Sequence, residues 1–246
     1  RFAAAGGLPT PLHWWDLDDL VTAGGLADQG NGTNDMGLTK ASTPTVDTGD
    51  SPDGGDSILF NTTTQYLETT SNYNWDGAGN AMSFGGWFKA TSVSVTFNAL
   101  MMWRQASSSR ILHLDITNLS PDTARGIVFD NQGTEQLING SGTSTISSDD
   151  TTWYHIFCVF DGVDTHEIYV NGTSETTTTN ASFADIESTE NIPFNIGQAS
   201  WGSSSALSHQ GNVWACGIWD EELTAAQISE LYNSGTGGKY ADYTWT

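Results

Sequence analysis

Apolar and polar positions between Trp153 and Gly172 come in blocks. An apolar and aromatic run, Trp153 to Phe160, gives way to polar residues from Asp161 to His166. A second run, Glu167 to Val170, then ends on Asn171-Gly172. β-Branched and aromatic residues bounded by Asp-Gly and Asn-Gly predict an antiparallel hairpin. Val213 to Trp219 reads as a further strand. After it the period changes. Thr224 and Gln227 have the T-x-x-Q spacing of a capping box, in which two orphan backbone donors are satisfied reciprocally. Leu223 and Ile228 have the spacing of a hydrophobic staple. Ile228, Leu231 and Tyr232 fall at i, i+3 and i+4 on one helical face, and Gly235 suits a C-terminal stop. The pattern predicts one helix of about three turns over 224–233 among strands, a lid on a sheet and not a helical domain.

The 246 residues include 10 Trp, 10 Phe and 7 Tyr, enough aromatic volume for the core of two packed sheets. Strand signals recur with Gly, Ser, Thr and Asn between them, as in an all-β sandwich. No internal repeat, Pro-rich linker or seam divides the chain. The expected organisation is an N-terminal arm over 1–11 and one domain over 12–246. Trp87, Trp153, Trp214 and Trp219 fall in strand runs and are expected in the core. With 29 Asp plus Glu against 7 Lys plus Arg, the net charge is −22. That balance opposes nucleic-acid binding, which rests on Lys and Arg, and it repels anionic lipid heads. No apolar run reaches the roughly 18 residues that span a bilayer. Self-repulsion of this size is screened in salt, where the Debye length falls to about 3 Å at 1 M. The composition therefore suits a saline setting or the general acidity of secreted β-proteins.

Four segments share a pattern. Trp153 to Gly172 resembles the W-x-H, apolar run, D-G, Y-V-N-G hairpin of the laminin G-like, concanavalin A-like jelly rolls. Gly211 to Gly235 resembles that family's last core strand and closing helix. Ala81 to Ala90 (A-M-S-F-G-G-W-F-K-A) is similar to its W-x-K strand. Asp28 to Leu38 (D-Q-G-N-G-T-N-D-M-G-L) resembles its D-x-S-G-N-x-N-D-G-x-L loop, after a W-x-L-D-like start at Trp15 to Asp18. The resemblance spans about Leu12 to Tyr232. It implies an all-β fold, a two-sheet antiparallel jelly-roll sandwich with one short C-terminal helix. The family is mostly a binding and surface-display fold, and becomes an enzyme when particular carboxylates are added.

Glycosidases on this fold need two carboxylates two residues apart on one strand, one to attack or activate water and one to protonate the leaving oxygen. The nearest pairs are Asp185 with Glu187, flanked by loop-like residues, and Asp16 with Asp18. Both read as solvated turn carboxylates, so no catalytic residue is expected. The five histidines are scattered without zinc-ligand spacing; His155 fits a structural strand position and His209 a loop cap. Calcium, which takes six to eight oxygens on a bent loop, is the metal that the resemblance implies. Asp28 and Asn31 would bind it, with Asn34 and Asp35 near by and Asn212 where the family pattern usually has Asp. A loop held by its own Asx turns is the alternative. Cys158 and Cys216 lie within strand runs, either as small buried hydrophobes or as a disulfide if their Cα atoms lie within about 7 Å.

Glycan recognition needs an exposed aromatic beside polar side chains. Trp201, in a small polar loop, is the first candidate, and Trp75 with Asn74 and Asp76 the second. Two functional classes follow. One is a structural or decoration protein on a virion or cell surface, with adhesion through a glycan or a partner protein and self-association into a homo-oligomer as one form of assembly. The other is a secreted carbohydrate-binding lectin module. An arm, a lack of linkers and the acidic bias point to the first. Either places the protein outside the cell or on a virion.

Overall fold

A computed structural model describes residues 7–21, 24–32, 36–38, 43–72, 81–91, 97–105, 109–117, 121–129, 137–181, 193–198 and 208–246. Its strands in chain order are β1 (His13–Trp15), β2 (Met36–Leu38), β3 (Thr45–Asp47), β4 (Ser57–Phe60), β5 (Leu67–Thr69), β6 (Met82–Ala90), β7 (Phe97–Gln105), β8 (Ser109–Thr117), β9 (Thr123–Phe129), β10 (Leu137–Thr145), β11 (Tyr154–Phe160), β12 (Thr165–Val170), β13 (Thr173–Thr179), β14 (Asn195–Ile196) and β15 (Gly211–Trp219). One helix, α1 (Ala225–Tyr232), follows. An eight-stranded sheet runs β13-β12-β11-β6-β15-β4-β3, with β1 also paired to β15, and a seven-stranded sheet runs β10-β9-β8-β7-β14-β5-β2. Every pairing between these strands is antiparallel. This is the jelly-roll sandwich expected.

The hairpin forms where the pattern placed it. Asp161 Oδ1 accepts from the amides of Val163, Asp164 and Thr165 at 2.8, 3.1 and 3.1 Å, which closes the β11–β12 turn. Asn171 and Gly172 both have positive φ, 51° and 74°, the backbone of a two-residue I′ turn. That turn leads into β13, which contains no apolar residue and so carries no periodic signal. The capping box at Thr224 forms, with Gln227 N donating to Thr224 Oγ1 and Thr224 N donating to Gln227 Oε1. The left-handed stop falls on Asn233 (φ 46°) ahead of Gly235. Asn tolerates that region, and its amide locks it there by donating to Thr236 Oγ1 at 2.8 Å and Gly237 O at 2.9 Å.

Two cores result. Between the sheets lie Trp15, Phe84, Phe88, Ile156, Phe160, Ile168 and Val213 from one and Leu100, Trp103, Leu112, Leu114 and Val128 from the other. The second lies on the outer face of the eight-stranded sheet, where Trp14, Trp87, Phe157, Trp214 and Trp219 are covered by Leu223, Ile228, Leu231 and Tyr243. Every residue of β6, β11 and β15 is therefore buried, as happens when both faces of a strand are covered. Trp153 is a correction. It precedes β11 and is only half-buried, packed at the margin of the outer core with Lys89 Nζ 5.9 Å from its ring centre. The arm over 1–11 is also corrected from residue 7 onward. Leu8 is fully buried, Thr246 N donates to Leu8 O at 2.8 Å and Thr10 N donates to Thr246 O at 3.3 Å. Residues 1–6 lie outside the described residues.

Cys158 and Cys216 are free and buried. They sit on β11 and β15 with β6 between them. Two strand spacings separate them by about 10 Å, beyond the reach of a disulfide. Burial pushes both thiols well above the ordinary range. Neither should react with a thiol reagent until the protein unfolds, and reductant should leave the melting temperature unchanged; reagent uptake against denaturant concentration measures this.

Candidate binding site

The loop from Asp16 to Asn31 is held by its own acids. Asp28, whose side chain is fully buried, lies 2.6 Å from His13 Nδ1 through Oδ2. Its Oδ1 accepts from Trp14 N at 3.1 Å and Gly30 N at 3.0 Å. Asp16 accepts from Trp14 Nε1 at 2.8 Å, Gln29 Nε2 at 2.6 Å and Tyr240 N at 2.9 Å. Asp18 pairs with Lys239 Nζ at 2.6 Å, and this hydrogen bond holds the amine above its ordinary value. These contacts tie β1 to the segment that follows α1.

The structure does not bring Asn212 to this loop. Asn212 is in β15, opposite Leu59 and Lys89, and its Nδ2 donates to Asp47 Oδ2 and Ser57 Oγ, both at 3.0 Å. Trp14, beside Asp28, pairs with Gly217, five residues or about 16 Å further along the strand. Asn31 is exposed. Both Asp28 oxygens are occupied, and among the described residues no three His, Cys, Asp or Glu side chains are grouped to hold a metal. Asp28 and Asn212 therefore do not fit one shared calcium ion. Trp201, Trp75, Asn74, Asp76, Asn34, Asp35, Asp185 and Glu187 all lie outside the described residues.

Two further features occupy the outer face of the eight-stranded sheet. Lys89, 4% exposed, pairs with Asp50 and with Asp150, 3.4 Å away. Its amine lies 5.9 Å from the centre of the Trp153 ring, and Trp153 Nε1 donates to Asp50 Oδ1 at 3.2 Å. Burial pulls the Lys89 amine down, but the two aspartates offset it and leave it above the ordinary lysine value. This clasp fastens the β3–β4 loop and the segment before β11 to the sheet.

Beside the β3–β4 loop a cleft of about 320 Å³ opens against the segment after α1. Its walls are Pro52 with Asp53 and Asn233 with Thr236; Gly237, Gly238 and Asp242 complete it. Gly237 has φ +56°, and a Cβ there would lie 2.6 Å from Trp87 Nε1 and 2.7 Å from Trp214 Cζ3. Only a residue without a side chain fits between the cleft and the outer aromatic core. The sequence shows these residues as turn formers and carries no further signal for them, because the cleft joins segments about 180 residues apart.

The family model described as the concanavalin A-like lectin/glucanases superfamily matches residues 61–229. No curated protein matches the chain in sequence. Domain 4 of AbnA, a GH43 extracellular arabinanase from Geobacillus stearothermophilus solved with arabinotriose, superposes with a TM-score of 0.60 at 16% identity, over 92% of this chain and 99% of that one. The binding domain of Paraclostridial Mosquitocidal Protein 1 gives 0.65 at 12% identity, over 92% of this chain and 52% of that one. The botulinum neurotoxin serotype D ligand binding domain, solved with N-acetylneuraminic acid, gives 0.65 at 11% identity, over 93% and 52%. The chain spans about half the length of these two toxin domains. At such identities the likeness is one of fold.

Proposed function

The chain belongs to the concanavalin A-like lectin/glucanase superfamily, and we propose that within it this protein is a non-catalytic, glycan-binding module that works outside the cell. The observation that carries this reading is the state of the buried carboxylates. A glycosidase needs an acid and a base or nucleophile, unengaged and about 5–10 Å apart across a sugar site. Here Asp16 and Asp28 each hold three donors. Asp115 is fully buried in a two-point pair with Arg125, at 3.0 and 2.5 Å. These carboxylates hold loops and strands together and are engaged before any substrate arrives. Of the proteins that share the fold, the arabinanase domain was solved with arabinotriose and the two toxin domains are named binding domains, one solved with N-acetylneuraminic acid, which supports binding as the activity.

A decoration role in a virion or cell-surface assembly, expected from the charge, is the second reading. The large hydrophobic side chains exposed among the described residues are Val21, Val46 and Val163. They sit in three separate segments, and isolated apolar residues do not make a protein interface. A small polar ligand therefore takes precedence over a protein lattice.

The test is a panel of neutral arabino-, xylo-, gluco-, manno- and galacto-oligosaccharides beside sialylated and uronic ones, with binding and reducing-sugar release both measured. Binding of at least one neutral class without hydrolysis is expected. Release of reducing sugar that disappears in Asp185→Ala or Glu187→Ala would show an enzyme instead, and no binding to any glycan would return the protein to the assembly reading.

A further inference from the structure

The two sheets end unequally. At one end their last strands are β3 and β2, three residues each. At the other they are β13 and β10, seven and nine residues long. A short edge gives a foreign strand little to pair with, whereas a long one presents a row of amides and carbonyls. Long edges are often blunted by lysine or proline. β10 and β13 contain neither, and Glu175 is the one charged residue in the two strands together. The rest of β13 is Thr and Ser. Low charge without proline is the composition of strands that associate.

Glu175 reaches from one edge to the other. The β9–β10 ladder is regular from Leu137 to Ser141, which faces Arg125, and resumes at Thr145 opposite Thr123. Gly142, Thr143 and Ser144 bulge out between these pairs, against Ala124 alone. At the bulge Glu175 Oε2 accepts from the amides of Thr143 and Ser144, both at 2.9 Å, and from Thr143 Oγ1. Its Oε1 accepts from Ser144 Oγ, and beside it Thr176 Oγ1 donates to Ser141 O at 2.8 Å. Burial raises the Glu175 carboxyl, but the bonds from Ser144 and Thr143 outweigh it and hold it below its ordinary value. One carboxylate of β13 thus takes two consecutive main-chain donors of β10. Thr143 is exposed and Ser144 half-buried, so in an isolated monomer water would serve these amides. What water cannot do is exclude a competing strand.

We propose that Glu175 guards this corner of the sandwich: by occupying the Thr143 and Ser144 amides it keeps a strand of a second copy from pairing with β10, and so blocks edge-to-edge self-association. A second copy is the partner because both long edges belong to this chain and hold no charge once Glu175 is withdrawn. Repulsion at a net charge of −22 also keeps copies apart, but salt screens that field within about 3 Å at 1 M. The guard acts at contact, so it matters most in salt. It is independent of glycan binding.

Sedimentation velocity of the full chain over a range of concentrations, in about 1 M salt to screen the net charge, tests it. The wild type should remain a monomer. Glu175→Ala should gain mass with concentration, to twice the monomer or more. Thr143→Lys puts a charge on the same exposed edge, and adding it to Glu175→Ala should restore the monomer. Hydrogen exchange reads the edge itself: the Thr143 and Ser144 amides should lose protection in dilute Glu175→Ala and regain it as the variant associates. A Glu175→Ala chain that fails to fold, or that folds and stays monomeric at every concentration, makes Glu175 a staple between the sheets and overturns the guard. Association that Thr143→Lys does not reverse, or that leaves both amides exchanging, arises elsewhere and overturns it too. So does a wild type that associates as strongly as the variant.

Discussion

Taking the protein from pH 7 to pH 4 should remove several kcal/mol of stability, and His155 and His209 should account for much of it. Both are fully buried and neutral. His155 is enclosed by Trp87, Phe157 and Tyr232, with ring centroids at 5.1, 4.6 and 5.9 Å. Burial pushes its pKa down to about 3. His209 lies between Phe60 and Phe88; burial lowers it to about 4, against a smaller upward pull from backbone contacts with Asn212 and Lys89. In the unfolded chain each has the ordinary value near 6.5. Between 6.5 and the folded value the unfolded chain binds a proton that the native chain refuses. The contribution is complete above about pH 6.5 and is lost as pH falls, at roughly 1 kcal/mol per pH unit for each histidine. The chain also carries 29 acidic residues, and acid unfolding generally draws on carboxylates as well, so a difference measurement is needed. Denaturant unfolding of the wild type and His155→Phe at pH 7, 6, 5 and 4 supplies it. The variant should show a flatter profile above pH 4, and parallel profiles would assign the acid sensitivity elsewhere.

Asp28→Ala should be almost as damaging, at any calcium concentration. The change leaves His13 Nδ1, Trp14 N and Gly30 N without their acceptor. Each buried donor left unsatisfied costs about 1–3 kcal/mol, so a loss of about 3 kcal/mol or more is expected. The damage should reach the outer core, because Trp14 packs there on Trp219, Tyr243 and Trp245 at centroid distances of 5.9, 5.8 and 5.6 Å. Melting with and without chelator tests the cause. The variant should melt lower by the same amount in both, with no chelator response in the wild type. A wild-type melting temperature that chelator lowers, and that Asp28→Ala makes insensitive, would place a cation on this carboxylate after all.

Local physics was legible where it is strong. The capping box at Thr224 and Gln227 and the Asp161 and Asn171-Gly172 turns each satisfy backbone groups within a few residues, so their spacing alone specifies them. β13 was illegible because a strand of Thr, Ser and Glu buries nothing that a period could reveal. The inward contacts of Asp28 were illegible for a related reason. A carboxylate in an Asn- and Gly-rich loop looks like a cation ligand until the fold turns it inward onto His13.

What the sequence determined by itself is the hairpin, the closing strand and the lid helix, each set by residues near one another in the chain, and a net charge of −22; the jelly roll followed from the family resemblance that these segments carry. Only the tertiary structure decided that Trp87, Trp214 and Trp219 build a second core outside the sheet, that β6 holds the two cysteines apart, and that Asp53, Gly237 and Asp242 line one cleft. Those outcomes depend on which strand lies beside which and on where the segment after α1 crosses the sheet. Such contacts join residues far apart in the chain, and no local spacing encodes them.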